Sequence, residues 1–163
     1  MSDHIRAWRD TDFATTLAVI NAASVAYRGV IPPDQWHEPY MSATQLREEL
    51  AAGVAFCCLE HDGELLGVMG MQPVRDVDLI RHAYVVPGVQ RRGVGSALIR
   101  HLRGASNRRM LVGTWAAAQW AIDFYRRHGF ELVPPPGGTE LLRNYWDIPE
   151  RQLENSVVLA NPA

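Results

Sequence analysis

Ala83-Tyr84-Val85-Val86-Pro87-Gly88-Val89-Gln90-Arg91-Arg92-Gly93-Val94-Gly95-Ser96-Ala97-Leu98 reads as a strand, a Pro/Gly turn, a Gly-rich bend and the start of a helix. Tyr84, Val85 and Val86 favour extended backbone, and Pro87 and Gly88 stop it. Gly93 and Gly95 carry no Cβ, so the chain can bend sharply there and a ligand can come close. Val94, Ala97, Leu98 and His101 then recur at helical spacing, with Ile99 and Leu102 beside them. A helix that leaves such a bend points unpaired N–H groups outward, and those groups together with the helix dipole favour an anion. Arg91 and Arg92 add two fixed positive charges. The stretch therefore predicts a phosphate-bearing ligand at this turn.

Three Gly-rich phosphate loops compete for that description. The dinucleotide fingerprint G-x-G-x-x-G needs a glycine where Leu98 stands, and it should follow its strand directly. The P-loop needs a lysine after its last glycine, and the 16 basic residues of this chain are all arginine. The same absence removes lysine Schiff-base chemistry. What remains is Gln/Arg-x-x-Gly-x-Gly/Ala, met by Gln90-Arg91-Arg92-Gly93-Val94-Gly95. Here the sequence resembles the GNAT superfamily of acyl-CoA N-acyltransferases. In that family this loop cradles the pyrophosphate of acetyl-CoA, and the preceding strand lies beside the pantetheine arm. The resemblance implies that Tyr84, Val85, Val86, Gln90, Arg91, Arg92, Gly93, Val94, Gly95, Ser96 and Ala97 hold the donor.

The rest of the chain bounds that reading. Its 163 residues suffice for one domain with a real core, here residues 1–163. A net charge of −2 gives no broad field toward nucleic acid or a membrane surface. There is no signal-peptide pattern and no membrane-spanning apolar run, so a cytoplasmic protein is expected. Cys57 and Cys58 are neighbours in a predicted strand and point to opposite faces, which makes them small buried residues rather than a disulfide. No C-x-x-C or H-E-x-x-H spacing supports a metal.

In order, Ile5–Trp8 reads as a strand, and Asp10, Thr11 and Asp12 are N-cap candidates for a helix marked by Phe13, Leu17 and Ile20. Gly29 and Pro32-Pro33 break it. The aromatic-rich segment from Tyr27 to Met41 reads as an irregular, substrate-facing loop or as a cover for the core. Ser42-Ala43-Thr44-Gln45 suggests a capping box before a helix carrying Leu46 and Leu50. Val54–Leu59 and Leu65–Met71 are strands joined at His61-Asp62-Gly63-Glu64, and Val77–Val86 is a third. Tight turns between them argue antiparallel pairing. Beyond the bend helix, Met110–Thr114 reads as a strand, Trp115–His128 as a helix closed by Gly129, and Phe130–Val133 as a strand. Pro134–Gly138 reads as irregular, with helical turns at 141–146 and 148–153 and a last strand at 156–159. The fold class is α/β (α+β): a mixed, mostly antiparallel sheet of about seven strands with flanking helices, with the acyl-CoA expected at a splayed strand pair.

Ala121-Ile122-Asp123-Phe124-Tyr125-Arg126-Arg127-His128-Gly129-Phe130 resembles the family's A-x-x-F-Y-x-x-x-G-F signature, in the expected order after the bend. The resemblance implies that Tyr125 is the general acid for the departing thiolate. A phenol of pKa ~10 can hydrogen-bond and protonate a thiolate whose acid has pKa ~8.5. The family often has an asparagine where Ala118 stands, so Thr114 or Gln119 would supply that contact. A bulged fourth strand would leave a backbone N–H near Val85 for the thioester oxygen. The acceptor amine must lose a proton, and His82 is the candidate base, with Asp78, Glu64 and His61 nearby in sequence. Whether His82 faces the cleft depends on register or a bulge, and Arg81 is the alternative inward residue, suited to an acidic substrate group. The sequence thus predicts acetyl transfer from acetyl-CoA to a primary amine, catalytic Tyr125 and His82, no metal, no nucleic acid and no membrane. The alternative is an acyl-CoA-binding sensor that has lost catalysis. A homodimer touching through the last strand is the family's expectation.

Overall fold

The computed structural model describes residues 3–89 and 92–162. Seven strands, Asp3–Ala7 (β1), Ala55–His61 (β2), Glu64–Val74 (β3), Val77–Val85 (β4), Arg109–Trp115 (β5), Glu131–Val133 (β6) and Ser156–Asn161 (β7), form one sheet in the order β1-β2-β3-β4-β5-β7-β6. Every neighbouring pair is antiparallel except β4–β5. The helices are Phe13–Ala23 (α1), Ala43–Ala51 (α2), Val94–Ala105 (α3), Gln119–Arg127 (α4), Gly137–Tyr145 (α5) and Glu150–Glu154 (α6). The expected mixed, mostly antiparallel sheet with flanking helices is what forms. Among the described residues no helix is long and apolar enough to cross a membrane.

Strand alternation sorts the core into two faces. Cys57 and Leu59 of β2 join the cluster under α3 and α4, while Phe56 and Cys58 pack toward α1 and α2. At the other end of that second face, Leu79, Leu111 and Val158 meet Leu142 of α5 and Leu153 of α6. Helix α3 buries Val94, Leu98, Ile99 and Leu102. It lies so close to β3 that a Cβ on Gly67 would stand 2.7 Å from Val94 Cγ1 and 3.2 Å from Leu98 Cδ1.

Local chemistry sets the ends of the elements. Ser42 Oγ accepts from the Gln45 amide at 3.1 Å and Gln45 Oε1 accepts from the Ser42 amide at 2.8 Å, the reciprocal box that starts α2. The β2–β3 hairpin turns through Asp62 and Gly63, both with positive φ, the conformation a two-residue hairpin of matching twist requires. Asp12 precedes α1, but its carboxylate is held by the Arg6 guanidinium at 2.8 and 2.9 Å and by the Arg9 amide.

Four expectations change. His101 is exposed, because the buried stripe of α3 runs through Ile99 and Leu102 instead. Trp115 ends β5, so α4 starts at Gln119 and Ala118 occupies its N-cap position rather than its interior. Pro134–Gly138 is not wholly irregular, since α5 begins at Gly137; a Cβ on Gly138 would stand 2.3 Å from the Val133 carbonyl, so the missing side chain lets the helix start there. The last strand, β7, lies inside the sheet rather than at its border, with Val158–Ala160 paired to both β5 and β6.

Two irregularities set β4 apart from a regular central strand. The first is a parting: β4 pairs with β5 only from Val77–Ile80 to Arg109–Val112. Beyond that, β4 stays with β3 through Val85 and β5 stays with β7 through Trp115, so the two strands diverge. The second is a bulge. Val68 faces Tyr84 and Gly70 faces Arg81, so β4 carries one extra residue at His82–Ala83, and His82 has φ +57°. Gly70 permits the close approach, because a Cβ there would lie 2.7 Å from both the Arg81 carbonyl and Val54 Cγ1. Gly70→Ala is therefore expected to destabilise the protein by about 1–3 kcal/mol and to lower Tm by roughly 3–10 °C, read by thermal denaturation.

Candidate active site

The parting of β4 and β5 is bordered by two clefts. The first, about 850 Å³, is walled by β4 from His82 to Val85, by Gly93, Gly95 and Ser96 at the start of α3, and by Phe124 and Tyr125 of α4. The second, about 490 Å³, is walled by α2, the segment 34–41 and the α5–α6 connection. Tyr27, Ile80, His82, Tyr84, Gly113 and Thr114 line both, so the clefts meet where the strands part.

The glycines on either side of Gln90 and Arg91 take turn conformations. Gly88 and Gly93 hold positive φ of 94° and 78°, a conformation open to glycine at no steric cost. Ala97 is the residue whose amide returns to the Gly93 carbonyl, at 3.0 Å, so the N–H groups of Val94, Gly95 and Ser96 precede the helical ladder. Arg92 is exposed beside them; Gln90 and Arg91 lie outside the described residues. The side chains of Val94 and Ala97 face the core, leaving their backbone as the part a ligand could meet. The Val86 amide bonds the Leu66 carbonyl at 2.8 Å. Antiparallel alternation then turns the Val85 N–H away from β3, toward the parting. The Tyr84 side chain packs on the α1–α2 face, next to the Tyr27 phenol.

Tyr125 is buried, edge-on to Phe124 and Phe130 at centroid distances of 5.1 and 5.8 Å. Its hydroxyl has no hydrogen-bond partner among the described residues, and the residue borders the first cleft. Burial, and then the nearby Tyr27 phenol, push its pKa well above the ordinary phenol value, so it holds its proton at neutral pH. Of the two stand-ins for the missing asparagine, Thr114 lines both clefts. Gln119 instead bonds Asp123 along α4 at 2.9 Å.

Among the base candidates, only His82 reaches the clefts. Asp78 is buried and accepts from Ser106 Oγ at 2.5 Å and from Arg108 at 3.1 Å. His61 sits against Asp3 at 2.7 Å, and Glu64 starts β3 in the exposed hairpin. Arg81 borders the second cleft, with its guanidinium bonded to Gln72 Oε1 and Glu49, each at 2.9 Å. His82 Nε2 lies 2.6 Å from Glu49 Oε2. Burial, and then the Arg81 charge, outweigh Glu49 and hold the imidazole below its usual pKa, so it is neutral at pH 7. For Glu49, burial alone would raise the carboxyl, but the His82 hydrogen bond and the Arg81 charge prevail and keep it ionised.

Glu49 is the residue that sequence reasoning missed. It stands in an Arg-Glu-Glu run that reads as a solvated helix face. The available signal was its position three residues after buried Leu46, which puts it on the packed side of α2. The aromatic segment divides: Tyr27, His37 and Tyr40 line the second cleft, and Tyr40 receives the Trp115 indole N–H at 2.8 Å.

The acetyltransferase (GNAT) domain family matches residues 52–132. The peptidyl-lysine N-acetyltransferase YiaC of Escherichia coli (strain K12) is 27% identical over 105 residues, spanning 60% of this chain and 69% of that protein. The PaiA N-acetyltransferase from Thermoplasma acidophilum, solved with coenzyme A, superposes with a TM-score of 0.72 over 98% of both chains at 16% identity. A GNAT family acetyltransferase from Brucella melitensis, solved with acetyl-CoA, gives a TM-score of 0.60 at 26% identity over 80% of this chain and 83% of that one. Taken with the parted sheet and the bend ahead of α3, these likenesses make the chain a member of the GNAT superfamily of acyl-CoA N-acyltransferases.

Proposed function

We propose that the protein transfers the acetyl group of acetyl-CoA directly to a primary amine of a small molecule or peptide. The observation that carries this reading is the meeting of the two clefts, with the start of α3 and Tyr125 on one side and His82 at the junction. The relatives solved with coenzyme A and acetyl-CoA support the donor, and the relative that acts on peptidyl-lysine supports an amine acceptor. When bound, the thioester supplies an electrophilic carbonyl and a thiolate leaving group. The amides of Val94, Gly95 and Ser96, with Arg92, suit the donor's diphosphate. The Val85 N–H is aimed where the thioester oxygen gains charge.

An alkyl ammonium of pKa ~10 has no lone pair. Neutral His82 takes its proton as the nitrogen attacks, forming the C–N bond. As the C–S bond breaks, the Tyr125 hydroxyl donates to the sulfur, and the second proton, left on the acylated nitrogen, passes to the phenolate, so the products are a neutral amide and a free thiol. Neither cysteine competes as a nucleophile: burial pushes Cys57 to about 11 and Cys58 to about 12, so both remain thiols.

Calorimetric titration with acetyl-CoA is expected to give a Kd below ~1 mM, about −4 kcal/mol or better. Thiol release from acetyl-CoA across a panel of amines should then show turnover. Absence of binding removes the reading, whereas binding without turnover on any amine favours the sensor.

A further inference from the structure

Consecutive residues of a strand point to opposite faces, yet Arg81 and His82 converge on one atom. Arg81 reaches Glu49 Oε2 at 2.9 Å and His82 Nε2 reaches the same oxygen at 2.6 Å. The extra residue in β4, with His82 at φ +57°, makes this convergence possible. Backbone strain of this kind persists only where the surroundings hold it in place. Here they do so beside the junction of the two clefts.

We propose that Glu49 is a positioning residue for His82, opposed by Arg81: it fixes the imidazole tautomer that leaves Nδ1 free to take the acceptor's proton. An ionised carboxylate offers only acceptor atoms, so the ring nitrogen against it must carry the hydrogen. Nε2 is therefore the protonated nitrogen and Nδ1 holds the lone pair. Glu49 is itself the poorer base, being a carboxylate kept below its usual range, whereas the ordinary imidazole value lies about two units closer to an alkyl amine. When Nδ1 accepts the proton, the N–H bond of the ammonium breaks, its electron pair stays on the amine nitrogen, and the imidazolium formed lies against the Glu49 carboxylate. Arg81 works in the opposite sense, repelling that imidazolium.

Among the described residues, no other charged side chain pairs with His82. Helix α1, which packs on β4, has no ionisable side chain in Phe13–Ala23. β2 presents Phe56, with its ring centroid 6.3 Å from that of the imidazole. Glu48 of α2, with Asp34, His37 and Asp147, lines the second cleft and not the first. The other titratable groups that line both clefts are the Tyr27 and Tyr84 phenols, raised by burial and uncharged at neutral pH.

The inference rests on His82 as the base, so two readouts keep the two apart. The first needs no acceptor: the histidine ring nitrogens of ¹⁵N-labelled protein, saturated with acetyl-CoA, are followed by NMR through a pH titration. His82→Asn assigns the signal, since asparagine tolerates the left-handed backbone. An Nε2-protonated tautomer is expected. Its pKa should fall by about one pH unit or more in Glu49→Gln and rise by a comparable amount in Arg81→Met. An unchanged tautomer and midpoint in both variants, with Tm and acetyl-CoA affinity retained, would overturn the positioning role. The second readout is the pH profile of thiol release with the best amine of the panel. Its acid limb should follow the NMR midpoint in each variant and vanish in His82→Asn. A limb that survives intact in His82→Asn overturns the base reading itself, whatever the NMR shows.

Discussion

Tyr125→Phe should lose about a hundredfold or more in turnover while binding acetyl-CoA as well as the parent protein does. The ring is fixed edge-on between Phe124 and Phe130, and phenylalanine fills the same space. The hydroxyl has no partner among the described residues, so removing it strands no donor or acceptor there, and Tm should barely move. In the proposed mechanism, what disappears is the proton for the leaving sulfur. With its pKa well above the ordinary phenol value, the hydroxyl is a poor acid toward a thiolate of ~8.5 at rest. Its contribution is a hydrogen bond that strengthens as charge gathers on sulfur, with transfer completed only as the bond breaks. An interaction made mainly in the transition state lowers kcat and kcat/KM together. Equal turnover in Tyr125→Phe and the parent would remove Tyr125 from the mechanism.

Leu98→Ala should cost about 2–5 kcal/mol, the range for emptying a fully buried leucine site, and depress Tm by roughly 5–15 °C. Leu98 has no exposed surface and sits where α3 comes down on β3 over Gly67. Collapse into the vacancy is resisted by Val94 and Ile99 on either side, both buried in the same cluster. The helix it anchors starts at the proposed diphosphate site, so acetyl-CoA affinity should weaken along with stability. Urea unfolding checks the first expectation: the midpoint should fall with the slope unchanged. Calorimetry checks the second. A midpoint within a few tenths of molar of the parent would show that α3 is not held by this contact.

The turns at Gly88 and Gly93 were legible because these glycines do something only glycine does cheaply: both stand at positive φ. The sheet was legible because β2, β3 and β4 are apolar runs separated by tight turns. What failed did so for identifiable reasons. Gly137 and Gly138 read as helix breakers, but crowding by the Val133 carbonyl, invisible in a sequence window, makes glycine the residue that lets α5 begin. His101 matched the apolar stripe in spacing alone, and the packed face of α3 is turned one residue away. Among the candidate site residues, His82 could be named from its type and place, but its orientation could not, because a one-residue bulge decides it. Glu49 is 33 positions from His82 and meets it only through the packing of α2 on the sheet. No local pattern carries a contact of that range.

The parting of β4 from β5 bears on how the sheet would hold the proposed donor. On the β5 side the backbone of Arg81–Val85 has no paired strand among the described residues, so the sheet is not laddered through its middle there. An extended, amide-bearing arm laid along that seam would act as a surrogate strand and knit the two halves of the sheet together. Ligand and scaffold would then share one ladder, and occupancy would tighten the whole sheet rather than just fill a hole in it.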